Sequence, residues 1–201
     1  VNGFSPDIFS SDIIKSPVHI RIDGKDYIVV QLKNGDIKIL NRRGEDRIVV
    51  ENKIQYNDNI VYSYLGSFTT SDNQGNLIQI DTDGNFNRNN LNLSENSMIN
   101  ISDDKLVYIS EDILSIKGID VKLPIGRYSK PKIFNISRNF FVGTTDLNED
   151  NIYLFNDSGE LVDGFPIKGS SSFDLVDSDL DGKLEVISMI DNFSIVSYEI
   201  N

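Results

Sequence analysis

A short alternating strand that runs into a polar turn with glycine recurs along this chain. Asp36-Ile37-Lys38-Ile39-Leu40 leads into Asn41-Arg42-Arg43-Gly44-Glu45, and Asn76-Leu77-Ile78-Gln79-Ile80 into Asp81-Thr82-Asp83-Gly84-Asn85. Asn151-Ile152-Tyr153-Leu154-Phe155 leads into Asn156-Asp157-Ser158-Gly159-Glu160. Each segment alternates apolar and polar residues, then turns where glycine permits positive φ. Gly44 to Gly84 is 40 residues, and Gly84 to Gly159 is 75, room for two repeats. The intervening copy reads Asp112-Ile113-Leu114-Ser115-Ile116-Lys117-Gly118, and a last copy is Ser194-Ile195-Val196-Ser197-Tyr198.

Two further strands precede each of these. The nearer set covers residues 26–32, 65–70, 105–110, 139–145 and 183–188, in which Lys105-Leu106-Val107-Tyr108-Ile109-Ser110 and Lys183-Leu184-Glu185-Val186-Ile187-Ser188 read almost alike. The earlier set covers residues 18–22, 59–62, 98–101, 132–136 and 173–176. A composition rich in Ile, Asn, Asp and Ser also leans to β-structure. Five units of three or four strands at one period predict an all-β, five-bladed β-propeller, a single domain over residues 1–201. A small sheet cannot hide both faces alone, so each unit needs neighbours. A β-sandwich with irregular strand spacing is the competing architecture.

The ends bear on closure. Leu161-Val162-Asp163-Gly164-Phe165-Pro166 and Val1-Asn2-Gly3-Phe4-Ser5-Pro6 read as the same outer strand. The fifth unit stops at Asn201 after its third strand, so residues near 1–10 are expected to complete it and close the ring. The alternative is a five-blade part of a larger propeller. Val1 is not a natural start, and no signal peptide or membrane span is visible. The expectation is a monomeric piece of a longer precursor whose targeting segment lies outside it.

One loop carries chemistry: Asp177-Ser178-Asp179-Leu180-Asp181-Gly182-Lys183-Leu184-Glu185. Ca²⁺ takes six to eight oxygen ligands. Alternate residues of a tight loop converge, which makes Asp177, Asp179 and Asp181 candidate ligands, with the Lys183 carbonyl facing the ion and Glu185 closing the site. An EF-hand needs glutamate at the twelfth place, where Ser188 stands, and helices where this loop has strands. This is a strand-loop-strand pattern. With Asp163-Gly164-Phe165-Pro166 nearby, it resembles an FG-GAP/VCBS-type (integrin-like) propeller blade over about residues 152–200. The resemblance implies a structural calcium between the first two strands of a blade, held by Asp177, Asp179, Asp181 and Glu185. The family often has aspartate where Glu185 stands. Other hairpins read as decayed copies: Asp23-Gly24-Lys25 carries Arg21 where Asp179 stands, and Asn100-Ile101-Ser102-Asp103-Asp104 lacks the glycine. Asp146-Leu147-Asn148-Glu149-Asp150 also lacks it, and Asp81-Thr82-Asp83-Gly84 reads as a turn.

The net charge of −12 argues against nucleic acid, anionic membranes and glycosaminoglycans, which need clustered Lys and Arg. With no Cys, and His19 the only histidine, Cys-His catalysis is excluded and a His-cluster metal site disfavoured. His19 is expected to pack on its strand, and Tyr27, Tyr62, Tyr108, Tyr153 and Tyr198 to pack between blades. The reading is a non-catalytic extracytoplasmic binding or scaffold module with a protein or glycan partner. The alternatives are a carboxylate-dependent glycan hydrolase or lyase, or an interaction domain of a larger envelope protein.

Overall fold

The structure, a computed structural model, describes residues 8–136 and 139–200. These residues form nineteen strands and no helix. The chain divides after Ser97 into two compact units.

The first unit holds two antiparallel sheets with strands in sequence order. One comprises β1 (Val18–Ile22), β2 (Lys25–Gln31), β3 (Ile37–Leu40) and β4 (Asp46–Ile48). The other comprises β5 (Tyr62–Tyr64), β6 (Ser67–Ser71), β7 (Asn76–Ile80) and β8 (Phe86–Asn90). The second unit holds three sheets of the same sequential order. They are β9 (Met98–Ser102), β10 (Lys105–Ser110), β11 (Ile113–Ile116) and β12 (Ile119–Lys122), then β13 (Lys132–Ile136), β14 (Asn139–Asp146), β15 (Asn151–Asn156) and β16 (Ile167–Lys168). The last has three strands: β17 (Asp174–Val176), β18 (Leu184–Met189) and β19 (Ile195–Ile200).

Period-two alternation becomes two cores per central sheet. In β14, Phe140 and Val142 face the third sheet, and Phe141 faces the fifth. In β15, Tyr153 and Phe155 join the third sheet, while Ile152 and Leu154 join Phe173, Leu175 and Val186 of the fifth. Full burial of such side chains stabilises by about 1.5–3 kcal/mol each, so a sheet covered on both faces gains twice over. Contact is close: a Cβ on Gly143 would lie 2.2 Å from the ring of Phe173, so only glycine fits there. In the first unit, Tyr27 and Val29 of β2 pack on Phe68, Ile78 and Ile80 of the second sheet, with Tyr27 and Phe68 edge-on at 4.9 Å. On the other face, Val30, Leu32 and Leu40 pack with Phe9.

Two turn designs recur. Asp23–Gly24, Leu65–Gly66, Asp103–Asp104 and Lys117–Gly118 all have positive φ, which makes two-residue hairpins between register pairs such as Ile22 and Lys25. The glycine-containing turns found in the sequence are closed by an Asx residue. Asn41 Oδ1 accepts from Arg43 N and Glu45 N, Asp81 Oδ1 from Asp83 N and Asn85 N, and Asn156 Oδ1 from Ser158 N and Glu160 N.

Several contacts between neighbouring segments are side-chain donors on main-chain carbonyls. Gln31 donates to the Asn59 carbonyl at 3.2 Å and Asn59 to that of Ser97 at 2.8 Å. In the second unit Asn100 donates to the Pro131 carbonyl at 2.9 Å and Thr145 to that of Ser171 at 2.7 Å.

Three expectations change. β5 starts at Tyr62 and not at Asn59, because the buried Asn59 side chain is committed to Ser71 Oγ and the Ser97 carbonyl. The outer strand expected over residues 161–166 is a single bridge, Leu161 to Phe155, followed by a turn, and the paired strand is β16. His19 does not pack. It lies on the open face of β1, its Nε2 3.0 Å from Asp26 Oδ1, because Ile20 and Ile22 take the buried side. Of the segment near 1–10, residues 1–7 lie outside the described residues. Phe9 packs on the first sheet, and Ile13 bridges to Leu32.

Candidate metal centre

The β17–β18 connection departs from the two-residue design. Val176 pairs with Glu185, and residues 177–184 intervene. Two positions permit the fold-back. Gly182 has φ +90, and Leu180 has φ 64 with its side chain 86% exposed, so the left-handed backbone meets no packing conflict. Internal hydrogen bonds shape the loop: Gly182 N donates to Asp177 Oδ2 at 3.1 Å, Asp181 N to Asp179 Oδ1 at 3.2 Å and Lys183 N to Asp181 Oδ1 at 2.9 Å.

Carboxylate oxygens of Asp177, Asp179 and Glu185 lie within 4.8 Å of one another. Glu185 is 8% exposed, fixed by its strand. Its Oε2 accepts from Ser178 N at 2.7 Å and from Ser178 Oγ at 2.8 Å. Asp177 Oδ1 is buried and has no hydrogen-bond partner. An orphaned buried carboxylate oxygen is costly unless a cation or donor meets it. The neighbouring cation is engaged elsewhere: Lys183 Nζ is 2.7 Å from Glu199 Oε1. That contact, more than the nearby Asp181 and Asp179 carboxylates, raises the Lys183 pKa. The donor set is all hard oxygen and thrice negative. It fits a metal ion, and it is of the kind that hard cations take.

The structure thus brings Asp177, Asp179 and Glu185 together. Asp181 is outside this group, its Oδ1 bonded to the main chain. Ser178 was not anticipated. Its signal was the longer Glu185, whose second oxygen needs a donor. Among the described residues the other loops lack this arrangement. Asp23–Gly24 and Asp103–Asp104 are two-residue turns, and Asp146 accepts from Asn148 N at 2.9 Å as an Asx turn.

No family model matches the sequence, and none of the curated proteins does. Solved structures do match it. BBS1N, in complex with ARL6DN, aligns at a TM-score of 0.59 and 14% identity, over 92% of this chain and 64% of that one. The dihydro-heme d1 dehydrogenase NirN aligns at 0.59 and 13%, over 88% and 43%. BamB from Moraxella catarrhalis aligns at 0.50 and 14%, over 91% and 56%. The chain thus spans less than two thirds of each. These are β-propeller-like proteins. At such identities the likeness concerns fold alone, and it makes the antiparallel sheets propeller-type units.

Proposed function

We propose that this chain is a non-catalytic binding or scaffold module of extracytoplasmic type, stiffened by one calcium ion in the β17–β18 loop. The observation that carries the reading is the buried, partnerless Asp177 Oδ1 beside Asp179 and Glu185. Asp177, Asp179 and Glu185 form the core of the ligand set. Asp181 and the Lys183 carbonyl join it when the loop tightens. The ion ties the turn to β18, and through it to the packed fifth sheet. Extracellular modules hold calcium at about 10⁻⁴–10⁻³ M, which suits the exterior.

In this reading the five sheets are five blades of one domain, or part of a larger ring. β19 has no partner on its outer side among the described residues and would receive the N-terminal segment. The partner is a protein or glycan. An enzymatic reading gains little from the polar cleft of about 520 Å³ beside Phe140. Its two carboxylates are already engaged, Asp103 by the Asn135 amide at 2.8 Å and Asp157 by Lys117 at 3.7 Å.

The test is calorimetric titration of the purified chain with Ca²⁺. One ion per chain is expected, lost in Asp179→Ala, whose carboxylate has no other structural duty beyond the Asp181 N contact. Absence of binding by the parent, or full binding by the variant, would defeat the assignment.

A further inference from the structure

The β3–β4 hairpin runs against the sign of the whole chain, whose net charge is −12. Asn41, Arg42, Arg43 and Arg47 line a cleft of about 260 Å³. The turn beneath it is braced: Asn41 N donates to the Glu45 carbonyl at 2.9 Å, Gly44 N to that of Asn41 at 3.0 Å, and Arg43 N to Asn41 Oδ1 at 2.7 Å. Arg47 is fixed as well. It donates to the Asp26 carbonyl at 3.0 Å, and its guanidinium carbon sits 4.9 Å from the centre of the Tyr27 ring.

The acids of the same hairpin are engaged elsewhere. Asp46 Oδ2 pairs with Lys38 at 2.9 Å, and Glu45 Oε2 accepts from the Asn41 amide at 2.9 Å. Among the described residues no ion pair joins Arg42 or Arg43 to a carboxylate. Guanidinium forks present several N–H donors in a plane and match tetrahedral oxyanions and carboxylates two bonds at a time.

We propose that this cleft is a binding site for a small oxyanion, a phosphate or sulfate group on a soluble ligand. The restriction to a small ligand follows from charge. Three cationic groups neutralise one such anion, whereas an extended polyanion or an anionic bilayer would also meet the surrounding negative field. The site uses no residue of the acidic loop, and its test is independent of calcium.

The test is an NMR titration of the chain with inorganic phosphate and with sulfate, each against sodium chloride at matched ionic strength. It follows the Arg side-chain N–H groups and the amides of Arg43 and Gly44. Saturable shifts are expected, with a dissociation constant on the order of 1 mM. Affinity falls about tenfold in Arg42→Gln/Arg43→Gln with the melting temperature unchanged, and less in the double Lys variant, which keeps charge and loses the fork. Equal shifts with chloride, or unchanged affinity in the Gln variant, would overturn the site. Sedimentation with anionic phospholipid vesicles in preference to binding free phosphate would overturn the soluble-ligand assignment.

Discussion

Gly143→Ala puts the packing of the fourth sheet on the fifth to a direct test. The new Cβ would lie 2.2 and 2.8 Å from two carbons of the Phe173 ring and 3.1 Å from one of Phe134. Phe173 cannot simply swing away, because it is buried and its centroid is 5.4 Å from that of Phe134. Relief requires an off-rotamer ring, at about 0.5–1.5 kcal/mol, or a retreat of β14 from β17. Inserting a methyl group into a filled core costs typically 1–3 kcal/mol, and two rings in the way place this case near the top. Alanine regains up to about 1 kcal/mol over glycine in backbone entropy. The net is a loss of about 2 kcal/mol, which for a chain of this size lowers the melting temperature by roughly 4–8 °C. Thermal unfolding followed by circular dichroism measures it. Phe173→Leu makes room, so the double variant should recover at least about 1 kcal/mol relative to the sum of the single effects. A Gly143→Ala protein as stable as the parent, or strictly additive effects, would mean that Gly143 and Phe173 do not meet as described.

Calcium at ten times a millimolar-range dissociation constant should stabilise the chain by about 1.4 kcal/mol, or roughly 3–6 °C in thermal unfolding. The shift vanishes in Asp179→Ala and Glu185→Gln and is smaller but present in Asp181→Asn. The Asp81 carboxyl is held below its ordinary 3.8, first by the Asn85 amide. Its contribution is full above that value and lost as pH falls through the lower folded one. Asp81→Asn should keep the turn, as Asn41 and Asn156 do, and flatten the acid limb of stability measured by urea unfolding. Burial pushes the Tyr62 phenol up to about 12. Stability tied to it is whole below 10 and falls as pH rises through 12, and Tyr62→Phe should remove one late-ionising phenol from an alkaline absorbance titration.

The inner strands were legible because their side chains obey two cores. Asn76–Ile80 and Lys105–Ser110 form at the predicted positions, with Ile78 and Ile80, and Val107 and Ile109, on buried sides. Outer strands were not. Phe86–Asn90 is almost wholly exposed, so nothing in its residues demands a pleat, and its ladder with β7 alone defines it. Asn59 misled for the opposite reason: the polar residue is buried by a network that spans distant sequence. At the acidic loop, the spacing of Asp177 and Asp179 predicted convergence. It could not show that Asp181 turns to the main chain, since the choice depends on which amide lies in reach.

Four of the contacts described above use a main-chain carbonyl as acceptor: that of Asn59, Ser97, Pro131 or Ser171. Every residue type offers that oxygen. At these four contacts a mutation on the accepting side leaves the bond whole, and only the donor needs to be kept. Contacts built this way constrain the sequence on one side only, so the segments that supply the acceptors are free to diverge while the bond is kept.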